Sequence, residues 1–157
     1  EMAAQLAHQL RDDLQRLELE IFDRRSQRYP QDLELKFQLG LRLKRVGNLR
    51  EAIKFFELTL ELPARHSGSA LELGECLQRQ KQYDKALDFY RLAAEGNSAD
   101  HLDFKKLALY RLGLLAEGLK NHEAAERALV ELVALDPQYK DTASRLDKLR
   151  AMRHKHA

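Results

Sequence analysis

The sequence predicts an all-α chain of stacked helical hairpins, and three observations predict it. The pair Leu39-Gly40 recurs as Leu73-Gly74 and Leu112-Gly113, at spacings of 34 and 39 residues. Twelve residues beyond each glycine stands an alanine, at Ala52, Ala86 and Ala125, and four further on a bulky residue, at Phe56, Tyr90 and Leu129. Three prolines and seven glycines in 157 residues leave room for long uninterrupted helices. Antiparallel helices approach closely where a small residue removes the steric barrier. The glycines supply that slot on the first helix of each hairpin and the alanines on the second. Phe56, Tyr90 and Leu129 are expected to fill the space between one hairpin and the next. A single hairpin leaves an apolar face wet, so about three must stack.

The first element is a helix over about Met2 to Arg28. Leu6, Leu10, Leu14, Leu17 and Ile21 recur every three or four residues, which marks one helical face. Tyr29-Pro30 ends it, because the residue before proline disfavours helix. Phe22 lies eight residues before Pro30 as Leu129 lies eight before Pro137, so this helix reads as the second half of an incomplete repeat. Repeat one follows over residues 32–64, with helices at about Asp32–Val46 and Asn48–Leu62. Asp32 caps the first, and Asn48 with Glu51 caps the second as a capping-box variant.

Repeat two covers 67–96, with helices at about Ser67–Gln80 and Tyr83–Glu95. Gly96-Asn97-Ser98 breaks the pattern, and the five extra residues of the longer spacing fall there. Repeat three covers 102–136, with helices at about Leu102–Leu119 and His122–Leu135. Asp136-Pro137 opens a last helix to about Arg153, since proline is tolerated in a first turn. Tyr139, Ala143, Leu146 and Leu149 share one face of it, and the rest is charged. It reads as the polar-backed cap that keeps an open stack soluble.

These residues resemble the tetratricopeptide repeat (TPR) family, whose period is 34 residues with Leu-Gly on the first helix, Ala and an aromatic on the second, and a closing Pro. Lys36, Ala70 and Leu109 stand where the family has Trp. Pro137 matches the closing Pro, and Pro63 sits one residue early. The resemblance covers about Leu33 to Pro137. It implies a right-handed superhelical solenoid of about three hairpins, one TPR domain over 1–157 with a long N-terminal helix and a capping helix over 137–153. The first residue is Glu1 rather than Met, and the chain is read as a piece of a longer protein.

Composition narrows the function. Hydrophobic residues make up 44% and charged residues 33%, with a net charge of +2 and the signs interleaved. A nucleic-acid surface shows a clustered basic face instead, so nucleic acid is not the expected partner. The longest apolar runs are short, such as Leu132–Leu135, far below a membrane span. A single cysteine, Cys76, and no leader pattern suggest a reducing, cytoplasmic setting.

No constellation for catalysis stands out, and neither an enzyme nor a cofactor is expected. Cys76 has no neighbouring base in sequence and reads as a small core residue. His154 and His156 offer two ligands in a basic tail, which is no metal site, and His8, His66, His101 and His122 read as surface or helix-end residues. Asp12, Asp13, Glu72, Glu75 and Glu117 read as a solvated acidic face. The basic tail from Lys140 to Lys155 reads as the preference of bases for a helix C-terminus, with contact to an anionic partner as the alternative.

By the resemblance, the first helices line a concave groove, and its facing positions are Phe37, Leu41, Lys44 and Arg45; Leu71, Glu75, Gln78 and Arg79; and Tyr110, Arg111, Leu114, Glu117 and Gly118. Phe37, Leu71 and Tyr110 are expected as an accessible row of apolar anchors. Their covering by the first helix or by a twin chain is the alternative. The basic clamp by which some family members grip a terminal carboxylate is replaced by Phe37, Leu41, Glu72 and Leu107, with Arg111 alone matching. The resemblance therefore implies a protein-interaction scaffold for a helix or an extended apolar segment. An RNA-binding helical repeat is the competing reading, and Glu72, Glu75 and Glu117 interrupt the basic stripe it needs.

Overall fold

The computed structural model describes residues 1–96 and 102–155. Asn97, Ser98 and His101 lie outside the described residues, as does His156. The described residues form eight α-helices and one 3-10 turn, with no strand among them: α1 Met2–Arg28, α2 Leu33–Arg45, α3 Leu49–Thr59, the 3-10 turn Pro63–Arg65, α4 His66–Arg79, α5 Tyr83–Ala94, α6 Leu102–Gly118, α7 His122–Leu135 and α8 Thr142–Lys155. Each helix packs on the next in chain order, and α4 also touches α6. The result is a solenoid of antiparallel hairpins α2–α3, α4–α5 and α6–α7, flanked by α1 and α8.

Local chemistry sets the helix starts. Asp32 accepts a hydrogen bond from the Leu35 N–H, Asn48 from Glu51 and Asn121 from Ala124. Each satisfies one of the backbone donors that a helix start leaves orphaned. The turns within the hairpins repeat one geometry. Gly47, Lys81 and Lys120 all adopt positive φ, at 86°, 62° and 61°. The residue after each donates its N–H five residues back, from Asn48 to Leu43, Gln82 to Leu77 and Asn121 to Ala116. This left-handed C-terminal motif ends a helix and reverses the chain in a few residues.

Glycine governs the packing, in a different way from the sequence expectation. A Cβ at Gly40 would stand 2.8 Å from Phe56, one at Gly74 2.5 Å from Tyr90, and one at Gly113 2.8 Å from Leu129. The three bulky residues thus sit on the glycine of their own hairpin rather than only between hairpins. Ala52, Ala86 and Ala125 are buried beside them. Between hairpins, α3 and α4 are joined by a buried Thr59–Ser69 hydroxyl contact of 2.7 Å.

Two helix boundaries differ from expectation. α3 ends at Thr59, not Leu62, because Leu62 precedes Pro63 and takes an extended conformation. α8 begins at Thr142, not at Asp136-Pro137. Lys140 is left-handed at φ 46°, which no right-handed helix accommodates, and the Thr142 hydroxyl donates to the Tyr139 carbonyl. Thr142, Leu146 and Leu149 are buried on α7, whereas Ala143 is exposed.

Candidate functional surface

The surface is made by α2, α4 and α6, with the segment leading into α8 at one end. Two of the three expected anchors are core residues. Phe37 is 5% and Leu71 3% exposed. Phe37 meets Phe56 edge-on at 5.8 Å between ring centroids, and the Arg65 guanidinium lies 4.6 Å over its face. Phe56 of α3, Arg65 of the 3-10 turn and Gly68 of α4 lie against Phe37. Tyr110 alone of the row is partly accessible. Its hydroxyl donates to Asp141 at 2.7 Å, its ring meets Tyr139 edge-on, and Lys140 lies 4.8 Å over it. The accessible row of anchors is corrected accordingly. The twist of the stack turns the residue three before each glycine into the next hairpin, where apolar area is buried.

The acids expected to form a solvated face are also corrected. Glu72, Glu75 and Glu117 are all half-buried and paired. The Lys44 ammonium donates to both Glu72 and Glu75. Arg111 reaches Glu75 at 3.6 Å, and Arg145 of α8 reaches Glu117 at 3.3 Å. Each pair bridges neighbouring repeats. Burial works against the charge of Lys44, but Glu72 and Glu75 outweigh it and hold its pKa above the usual lysine value. For Glu72 burial dominates, and although Lys44 opposes it the carboxyl is pushed above the usual glutamate range.

The remaining predicted residues divide in two groups. Leu41 packs half-buried against the α2–α3 cluster, and Gln78 accepts a 2.6 Å hydrogen bond from the Tyr90 hydroxyl. Arg45 pairs with Glu18 of α1 at 3.3 Å. Arg79 is exposed and its charge acts on Glu72, Leu114 is half-buried, and Gly118 is exposed at the end of α6. Sequence reasoning missed Asp141 and Lys140 at this surface, and the bridging role of Arg145. A signal was present: Lys44 to Glu75, Glu34 to Arg65 and Tyr110 to Asp141 are all separated by 31 residues, and Lys44 to Glu72 and Glu117 to Arg145 by 28. Those separations carry a side chain to the facing position of the next repeat.

Outside the groove, the basic tail is largely spoken for. Arg150 and Arg153 both pair with Glu126 of α7, and Arg145 also with Asp141. Cys76 is buried, and burial pushes its thiol up to about 11, which leaves it protonated and unreactive. Among the described residues no group of three or more His, Cys, Asp or Glu side chains is placed to hold a metal ion. No helix among them is long and apolar enough to cross a membrane.

Glycine-seated hairpins, stacked so that their first helices form a common face, define a helical-repeat scaffold. The repeats are tetratricopeptide repeats: TPR family models match residues 69–95 and 107–139. No curated protein matches the chain. Among solved structures, MamA from Desulfovibrio magneticus RS-1 is similar at 25% identity and TM-score 0.72, over 94% of this chain and 80% of that one. YrrB, a TPR protein with an unusual peptide-binding site, aligns at 19% identity and TM-score 0.68, over 88% of this chain and 69% of that one. The first TPR of Spaghetti (RPAP3), bound to the HSP90 peptide SRMEEVD, aligns at 17% identity and TM-score 0.61, over 78% of this chain and 95% of that one.

Proposed function

We propose that this chain is a protein-interaction scaffold that holds a segment of a partner protein against the face of α2, α4 and α6. The observation that carries the reading is what remains on that face once its internal pairs are made. Leu41 and Leu114 are partly open, and Arg79 and Arg111 are both exposed. Ion pairs between neighbouring repeats border this patch, and a preorganised surface lowers the ordering cost of binding. The partner segment that fits is apolar with an acidic flank. Peptide binding by structurally similar TPR proteins supports the class of function. The replaced clamp positions argue against a terminal carboxylate as the feature gripped.

The test is capture from a lysate of the source organism by the chain and by an Arg79→Glu, Leu114→Asp variant. Arg79 is exposed and Leu114 half-buried, so the variant should keep its helical spectrum with at most a modest fall in melting temperature. The expected result is a loss of specifically captured protein by about 10-fold or more, as for a charge reversal and an anchor lost together. Equal capture by both proteins places binding elsewhere.

A further inference from the structure

We infer that the outer face of α1 is a self-association surface that pairs two copies of this chain through antiparallel α1 helices. Leu6, Leu10, Leu14, Leu17 and Ile21 are 56%, 60%, 55%, 54% and 45% exposed, although they form one continuous stripe. α1 meets the stack through its other side, where Leu19 and Phe22 are half-buried on α2 and Ser26 is buried. Residues 1–11 are exposed throughout. The N-terminal half of α1 therefore stands clear of the stack. A helical segment of that length gains little stability in water without a packed face.

Spacing and charge select the occupant. Leu10, Leu14, Leu17 and Ile21 follow one another by four, three and four residues, the alternation that lets one helix seat its side chains in another. α1 carries five acids and five bases between Met2 and Arg28, so it has no net charge with which to seek an anionic membrane or a strongly charged protein. An antiparallel copy satisfies both patterns at once. Setting Leu14 against Leu17 of the second copy places Leu10 against its Ile21, and the symmetry closes four apolar layers. On one flank Arg11, which makes no ion pair among the described residues, comes opposite Glu18 of the second copy, whose carboxylate also pairs with Arg45 of its own α2. On the other, Asp13 and Glu20 approach, each already paired within its own helix to Arg16 and Arg24. The contact is isologous and closed, so it makes a dimer and not a fibre.

Sedimentation equilibrium of the 157-residue chain tests this. A concentration-dependent dimer is expected, and a chain that stays monomeric at about 100 µM overturns the proposal. Leu14→Glu, at an exposed position, should keep the helical spectrum and raise the dissociation constant by about 100-fold or more. A dimer unaffected by that change is held by another surface and equally overturns the proposal. Orientation is read by oxidative cross-linking: the Leu10→Cys, Ile21→Cys double variant should form a covalent dimer, and Leu10→Cys alone should not. Ready cross-linking of Leu10→Cys to itself excludes the antiparallel pair.

Discussion

At Lys81 and Lys120 the chain places a β-carbon in the left-handed region where the equivalent turn of the first hairpin has Gly47. A side chain there costs about 1 kcal/mol that glycine avoids. Lys81→Gly and Lys120→Gly should each raise stability by up to about 1 kcal/mol, with the melting temperature as the measure, despite the loss of a surface charge. At Gly74 the sign reverses. Leucine there drives a side chain into Tyr90, and the strain should exceed the usual ~1–3 kcal/mol of overpacking, because the ring is fully buried and has nowhere to move. Glu72 yields a pH dependence. Its folded pKa stands above its unfolded value, so folding takes up a proton just above the unfolded pKa, and its contribution to stability falls as pH rises through that window. Urea melts at successive pH values should show Glu72→Gln gaining stability relative to the parent chain as pH rises above the ordinary glutamate range.

At the level of helices, the interface between α3 and α4 contains a buried contact between the Thr59 and Ser69 hydroxyls. Thr59→Val leaves the Ser69 hydroxyl without this partner, at about 1–3 kcal/mol, whereas after Ser69→Ala the Thr59 hydroxyl keeps its bond to the Phe56 carbonyl and the cost is smaller. The double variant should be closer to the parent in stability than the sum of the singles, and a thermodynamic cycle measures the difference. The helices themselves were legible in sequence because each hairpin carries its own glycine, alanine and bulky residue. Their ends were less so. Nothing in Pro137 announced that Lys140 would turn left-handed and delay α8 to Thr142. The face of Phe37 was also out of reach. A residue three before the glycine is amphipathic in position, and only the rotation between successive hairpins decides whether the next one covers it. The paired acids failed for a related reason: a carboxylate read alone looks solvated, and its partner lies most of a repeat away.

Across the whole molecule, stability is shared between neighbours in a line, as in other repeat stacks. Amide exchange should therefore be fastest in residues 2–11, which are exposed throughout, and slowest in α4 to α6, which have packed neighbours on both sides. Exchange from α4 as fast as from the start of α1 would contradict a graded stack. The cross-repeat pairs add a directional element to that line. Lys44 fits only a following unit that presents two carboxylates, and Glu117 only one that presents a guanidinium. The repeats look alike in packing yet are not interchangeable parts: each is labelled for its successor. A chain in which the α2–α3 and α4–α5 hairpins were exchanged would keep every glycine seat and lose the matching charges, setting Glu72 and Glu75 at an end where no ammonium awaits them. Permuting the order of the modules is thus a harder operation than adding one, and a builder extending this array would have to copy the labels along with the shapes.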